Sequence, residues 1–248
     1  MSSVATLGKT DNWLRNVFFA ALAAHTSNSK TVARHSHNDT VKYSIIFPTA
    51  DEIRRSLNGY ASGGSIHMKL RTPAQHRQLQ YVRPYLCKWA GDTPDAGSKR
   101  KRDTREGIHN AGRQRAAPHI KTYCRFSDSE RMDSIDWAMM TSANLSTQAW
   151  GTGVNAHGEV SISSWEIGVV VWPDLFLEDN KKPMAKMVPC FQQDRPGSAN
   201  EEKEAVLVGF RMPYNLPLTP YYGTQDMPWC ASETHTTPDW LGKTWDGE

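Results

Sequence analysis

Two short runs in this chain carry residue types suited to phosphoester chemistry. Pro118-His119-Ile120-Lys121 sets an imidazole and an ammonium two positions apart. On a β-strand, residues i and i+2 face the same side, so His119 and Lys121 are expected to project together. Thr141-Ser142-Ala143-Asn144 follows, with Asn144 placed 23 residues after Lys121. Such a set suits a phosphate oxyanion. Lys121 supplies a fixed positive charge, and Ser142 and Asn144 supply neutral donors for charge building on the equatorial oxygens. His119 is the member that moves a proton near neutral pH, as nucleophile, acid or base. An isolated HxK recurs by chance, and His67-Met68-Lys69 is a second copy in the same chain. The residues alone leave the role of His119 open among these three.

The elements around these runs predict an α/β fold. Residues 11–24 read as an amphipathic helix, with Asp11 or Asn12 as cap and Trp13, Leu14, Val17, Phe18 and Leu22 at helical spacing. Residues 26–40 read as a loop. Tyr43 to Phe47 is a short β run, after which Thr49 caps a helix ending by Gly59. Ser62-Gly63-Gly64-Ser65 is a tight loop, and Pro73 to Trp89 a second helical stretch. His119 to Phe126 alternates, Ile135 to Ser142 is an apolar run expected as a buried central strand, and Leu145 to Trp150 is a helical turn closed by Gly151. Ser161 to Trp172 and Ala205 to Phe210 read as further strands. The order predicts an α/β/α sandwich on a central mixed β-sheet. Loops at strand ends are where such folds build their sites, which is where Ser142 and Asn144 fall.

The composition narrows the class. The chain has 248 residues, 38% hydrophobic and 22% charged, enough for a sizeable core. No apolar run approaches the length of a membrane span, and no membrane partner is expected. Cys87, Cys124, Cys190 and Cys230 are widely spaced, match no zinc pattern and read as free thiols of a reducing compartment. No metal or other cofactor is expected. Between Lys99 and Ala116 seven basic residues stand against two acidic ones, a local +5 in a chain whose formal charge is +3. A basic arm on a near-neutral body fits a polyanionic partner. Residues 91–117 read as a flexible basic insertion. Its Lys99-Arg100-Lys101-Arg102 run is either a nuclear import signal or a solvated loop.

The run HIKTY followed by MTSANLSTQAWG resembles the second HxK…SxN signature of the tyrosyl-DNA phosphodiesterases, members of the phospholipase D superfamily. SSVATLG, IIFPTADEIRRSLNGYASGGS, SSWEIGVVV and MPYNLPLTPYYGTQDMPW resemble family segments in the same order. The resemblance covers nearly the whole chain and is weak in 26–40, 91–117 and 174–204. It implies a phospholipase D-like fold and a nuclear DNA repair hydrolase. Such an enzyme cleaves the 3′-phosphotyrosyl bond between DNA and a topoisomerase I-derived peptide through a phosphohistidine intermediate. The implied partner is single- or double-stranded DNA with a 3′ tyrosyl or peptide adduct.

Residue by residue, the resemblance makes His119 the acid that protonates the leaving tyrosine and then the base that activates water. Lys121 and Asn144 become the phosphate clamp. Glu166 matches an acidic residue that orients a catalytic histidine; read alone, it is a strand carboxylate paired with a Lys or Arg. Ser2 and Ser3 match serines that touch the DNA backbone. Ser65 matches a loop near the substrate cleft, and Trp229 matches an aromatic on its peptide side; read alone, Trp229 is a core tryptophan. His67-Met68-Lys69 matches none of the family's catalytic positions and reads as a coincidence.

One departure matters. The family has two HxK motifs, and its nucleophilic histidine belongs to the first, in an N-terminal half that this sequence does not contain. Residues 1–248 therefore read as the C-terminal phospholipase D-like catalytic domain with its N-terminal half missing. Covalent catalysis needs its nucleophile, so the isolated chain is expected to be inactive or nearly so. The alternative is a catalytically incomplete DNA-binding module that keeps the basic arm and the phosphate clamp. A lipid phosphodiesterase shares the motif logic but lacks support from any membrane-binding helix.

Overall fold

The computed structural model describes residues 3–23, 41–90, 109–177, 183–197 and 205–247. The first helix is π-wound over Leu14–Phe19 and continues as α1 (Ala20–Ala23). Of the expected stripe, Trp13, Leu14 and Phe18 are buried and Val17 and Leu22 half-buried, and the wider winding brings Phe19 to the buried side as well. β1 (Ile45–Ile46) leads into α2 (Ala50–Arg54). Thr49 caps α2 with a reciprocal capping box: Glu52 N–H donates to Thr49 Oγ1 at 3.1 Å, and Thr49 N–H donates to Glu52 Oε2 at 2.8 Å. Gly59–Ser65 is a 3-10 turn.

α3 (Pro73–Val82) is shorter than the helix expected to reach Trp89. Pro84 lacks an N–H and crowds the preceding turn, so Arg83–Tyr85 tightens to 3-10 winding. The apolar residues after it form β2 (Leu86–Cys87), parallel to β1.

The main sheet is mixed, as expected. β3 (Thr122–Phe126) pairs antiparallel with β4 (Ile135–Thr141). β4 is followed by the short α4 (Thr147–Trp150), capped by Ser146 and closed by Gly151 at φ 82°. β5 (Gly168–Val171) pairs antiparallel with the C-terminal half of β4, and β6 (Met184–Cys190) meets β4 only at Ile135. β6 and β7 (Ala205–Arg211) pair in parallel along their lengths. β6 falls in the stretch where no strand was expected. β5 is much shorter than the strand read from Ser161.

The two faces of this sheet carry separate cores, because residues of a strand alternate between faces. Tyr123, Trp137 and Met139 pack with Leu14, Phe18, Phe19, Phe47 and Trp229. Cys124, Phe126 and Ala138 pack with Met187, Met212 and Leu216 from β6 and the closing segment. The apolar run of β4 is not uniformly buried, since Met140 is 69% exposed. Cys87, Cys124, Cys190 and Cys230 are free thiols.

Residues 91–108 of the basic insertion lie outside the described residues. The rest of it, 109–117, is anchored rather than a free loop. His109 bridges Leu216, Leu57 N–H donates to Arg115 O at 2.8 Å, and the Arg115 guanidinium lies 4.9 Å from the centre of the Trp240 ring.

Candidate active site

The segment leaving the Gly59–Ser65 turn is extended and alternates strictly. Ser65, His67 and Lys69 are exposed, while Ile66, Met68 and Leu70 are buried. Apolar residues at every second position pull one face into the core and leave the polar row outside. The turn itself rests on Trp229. A Cβ at Gly63 would lie 2.3 Å from the indole, and Trp229 Nε1–H donates to Gly63 O at 2.9 Å. Trp229 is fully buried and stacks with Tyr60 and His235. It is a core residue supporting the Ser65 turn, so its expected place lining the peptide side of a cleft is corrected: substrate has no access to a ring with no exposed surface.

The segment from Ser3 joins this turn to the end of β4. Parallel bridges pair Ser3 with His67 and Val4 with Leu145. Val4 N–H donates to His67 O at 3.1 Å, and Leu145 N–H donates to Ser3 O at 3.3 Å. Side chains in register on parallel neighbours share a face. Met68, Val4 and Leu145 form the buried row, exposed by 4%, 2% and 1%. His67, Ser3 and Asn144 form the row on the opposite, accessible face. Two residues expected at the site, Ser3 and Asn144, are thus brought together, with His67 as an unexpected third. Ser2 lies outside the described residues.

The second part of the site comes from β3, β4 and β5. His119 and Lys121 lie in the segment leading into β3 rather than on the strand, and His119 N–H donates to Ala117 O at 2.9 Å in a tight turn. Thr141 N–H donates to Lys121 O at 3.1 Å, which carries the β3–β4 register through Lys121. Thr141 opposes Gly168, where a Cβ would meet the Thr141 side chain at 2.7 Å. By register, Lys121, Thr141 and Gly168 share one face.

Ser142 holds Glu166 just before β5: its Oγ donates to Glu166 Oε2 at 2.5 Å and accepts from Ile167 N–H at 3.0 Å. A serine has one O–H to give. The expected role of Ser142 as a donor to phosphate is therefore replaced in this geometry by anchorage of Glu166. Among the described hydrogen bonds, Glu166 reaches Ser142 and not His119.

Asn144 is fixed by its backbone neighbours. Trp150 Nε1–H donates to Asn144 O at 3.0 Å, and Tyr123 O–H donates to Ala143 O at 3.1 Å. Burial pushes the Tyr123 phenol well up, and the nearby Glu166 charge adds to it. Tyr123 therefore stays a neutral donor at any working pH. Neither Tyr123 nor Trp150 was expected at the site, because a bonded aromatic reads in sequence as plain core.

His119 connects the two parts. Partial desolvation draws its imidazole below the ordinary 6.5, and positive charge at Lys121 and then at His67 adds to the shift. His67 thus lies within electrostatic reach of His119, so the second HxK is not the spatial coincidence that its sequence position suggested. Lys121 and His67 lie within electrostatic reach of His119, and His67 shares its accessible row with Ser3 and Asn144, a set able to bind an anion and move a proton.

Residues 1–222 match the family profile described as tyrosyl-DNA phosphodiesterase. A probable tyrosyl-DNA phosphodiesterase of Schizosaccharomyces pombe is 33% identical over 215 residues, covering 82% of this chain and 36% of that protein. Tyrosyl-DNA phosphodiesterase 1 of Arabidopsis thaliana is 28% identical over 222 residues, covering 81% of this chain and 32% of that one. A solved histidine variant of the yeast enzyme superposes with a TM-score of 0.52 at 20% identity, over 92% of this chain and 48% of that one. The chain spans about a third of the length of these curated relatives.

Proposed function

Because this chain belongs to the tyrosyl-DNA phosphodiesterase family and has its phospholipase D-like α/β fold, we propose that it supplies the acid/base half of a DNA repair phosphodiesterase. The substrate is DNA, single- or double-stranded, whose 3′ phosphate is esterified to a tyrosine of a topoisomerase I-derived peptide. The observation that supports this reading is the electrostatic proximity of His119 to Lys121 and to His67, which shares an accessible row with Ser3 and Asn144.

The chemistry proceeds in two displacements. A nucleophilic imidazole from outside residues 1–248 attacks phosphorus, the bond from phosphorus to the tyrosine oxygen breaks, and protonated His119 gives its proton to that oxygen. Lys121 and Asn144 hold the equatorial oxygens as charge builds on them. In the second step His119, now neutral, takes a proton from water, whose oxygen attacks the phosphohistidine. The bond from phosphorus to nitrogen breaks, leaving a free 3′ phosphate and the regenerated nucleophile. Splitting one hard displacement this way fails without the first imidazole, so the chain alone is inactive.

The complementary half docks against β5 and its flank. There Met140, Ile167 and Val169 meet on one face at 69%, 82% and 63% exposure, beside a fully exposed Trp165. An apolar surface of this kind marks an interface. The enzyme works in the nucleus, with Lys99–Arg102 as the import signal.

A binding assay on an oligonucleotide ending in a 3′ phosphate tests this reading. Lys121→Ala and Asn144→Ala are each expected to weaken capture of the phosphate end about tenfold. Loss of binding only on substitution within Lys99–Arg115, with the site variants unaffected, identifies a DNA-binding module instead.

A further inference from the structure

We propose that His67 is a substrate-binding residue of this site, donating from its imidazole to the phosphoester on the side of the leaving oxygen that His119 protonates. The proposal rests on the reading of His119 as the acid/base residue and extends it to a residue outside the HxK…SxN signature.

Three observations place His67. It sits in the accessible row with Ser3 and Asn144, one bridge from Ser3, while its neighbours Ile66 and Met68 are held in the core at 0% and 4% exposure. The buried neighbours fix its backbone, and the alternation fixes its side chain outward. It lies within electrostatic reach of His119, which also senses Lys121. Among the described residues these two are the charged groups that act on His119. The register also says which part of the second HxK takes part. Moving from His67 to Lys69 follows Ser3 toward Ala5 and Asn144 toward Ser146, the start of α4, and so away from Asn144. His67 therefore belongs to the site and Lys69 does not.

The chemistry follows from the position. An imidazole donates to a phosphate oxygen when protonated or in one neutral tautomer, and a nearby anion stabilises its charged form. In the empty site, positive charge at Lys121 and His67 disfavours the protonated form of His119. A phosphoryl dianion offsets that charge, so binding is expected to raise the titration of His119.

The test uses NMR of the 248-residue chain, following the histidine ring resonances while inorganic phosphate, and separately an oligonucleotide with a 3′ phosphate, is added. The proposal predicts that the His67 and His119 resonances shift with one saturating dissociation constant and that His119 titrates at higher pH when ligand is bound. Exposed His76 on α3 stays still. His67→Ala should weaken the phosphate-ended oligonucleotide three- to tenfold and move His119 toward higher pH in the free protein, and His67→Gln should restore part of the binding but not the lost charge. Movement of His119 without His67 overturns the proposal and leaves the acid/base reading standing. Equal movement of His76 marks diffuse ion binding and overturns it, and stillness of both site histidines overturns it together with that reading.

Discussion

Ser142 Oγ and Glu166 Oε2 lie 2.5 Å apart across the junction of β4 and β5, with the serine donating. The same oxygen accepts from Ile167 N–H, so one hydroxyl fixes both the carboxylate and the backbone that carries it. Ser142→Ala frees both. Because the pair is exposed, the stability loss should be only about 1 kcal/mol. Turnover of the assembled enzyme should fall about tenfold through kcat, with KM little changed. Steady-state kinetics beside a urea melt separate the two effects, and a rise in KM alone argues that Ser142 binds phosphate directly.

Tyr123→Phe removes the donor to Ala143 O, next to Asn144. The carbonyl is left in a buried setting without its partner, at a cost of about 1–3 kcal/mol. Chemical denaturation measures it. A variant as stable as the parent contradicts the bracing role assigned to this phenol.

Gly63→Ala drives a methyl group into the Trp229 indole, at a separation of 2.3 Å for the Cβ. The ring is fully buried and bonded to Gly63 O, so it has no room to retreat. A loss of about 3 kcal/mol is expected from overpacking. Thermal melting checks it, and an unchanged midpoint contradicts the packing of the turn on this ring.

His119 should titrate below 6.5, since desolvation and positive charge at Lys121 and His67 disfavour its protonated form. Lys121→Met removes one of those charges and should move the titration up. The sign for stability follows from the same shift. A histidine depressed in the folded state favours folding above its unfolded value, and that contribution disappears as pH falls through the folded value. NMR titration reads the shift, and a His119 titrating above 6.5 contradicts this electrostatic picture.

Much of this site was legible because its chemistry sits in contiguous runs. His119 with Lys121, and Ser142 with Asn144, each occupy one short segment at a strand end. His67 was hidden because its place depends on a bridge to Ser3 from the far side of the sequence, which no local spacing encodes. Trp229 misled for the opposite reason, since a motif match does not say which side of a turn an indole supports. In the fold, the Thr49 cap and the Gly151 closure were readable from residue type, while the reciprocal bond from Glu52 was not expected. The early end of α3 followed from Pro84, whereas the shortness of β5 did not follow from its apolar composition. Ile167 and Val169 look like buried strand residues in sequence, yet they lie on an open face.

The most direct measurement is release of tyrosine from a 3′-phosphotyrosyl oligonucleotide by this chain, alone and mixed with the remaining N-terminal part of the Schizosaccharomyces pombe relative. The expected result is no release by either polypeptide alone, release by the mixture, and its loss when the chain carries His119→Ala. Turnover by the 248-residue chain alone that His119→Ala abolishes, or turnover by the mixture that survives that substitution, contradicts the division of acid/base and nucleophile between two halves.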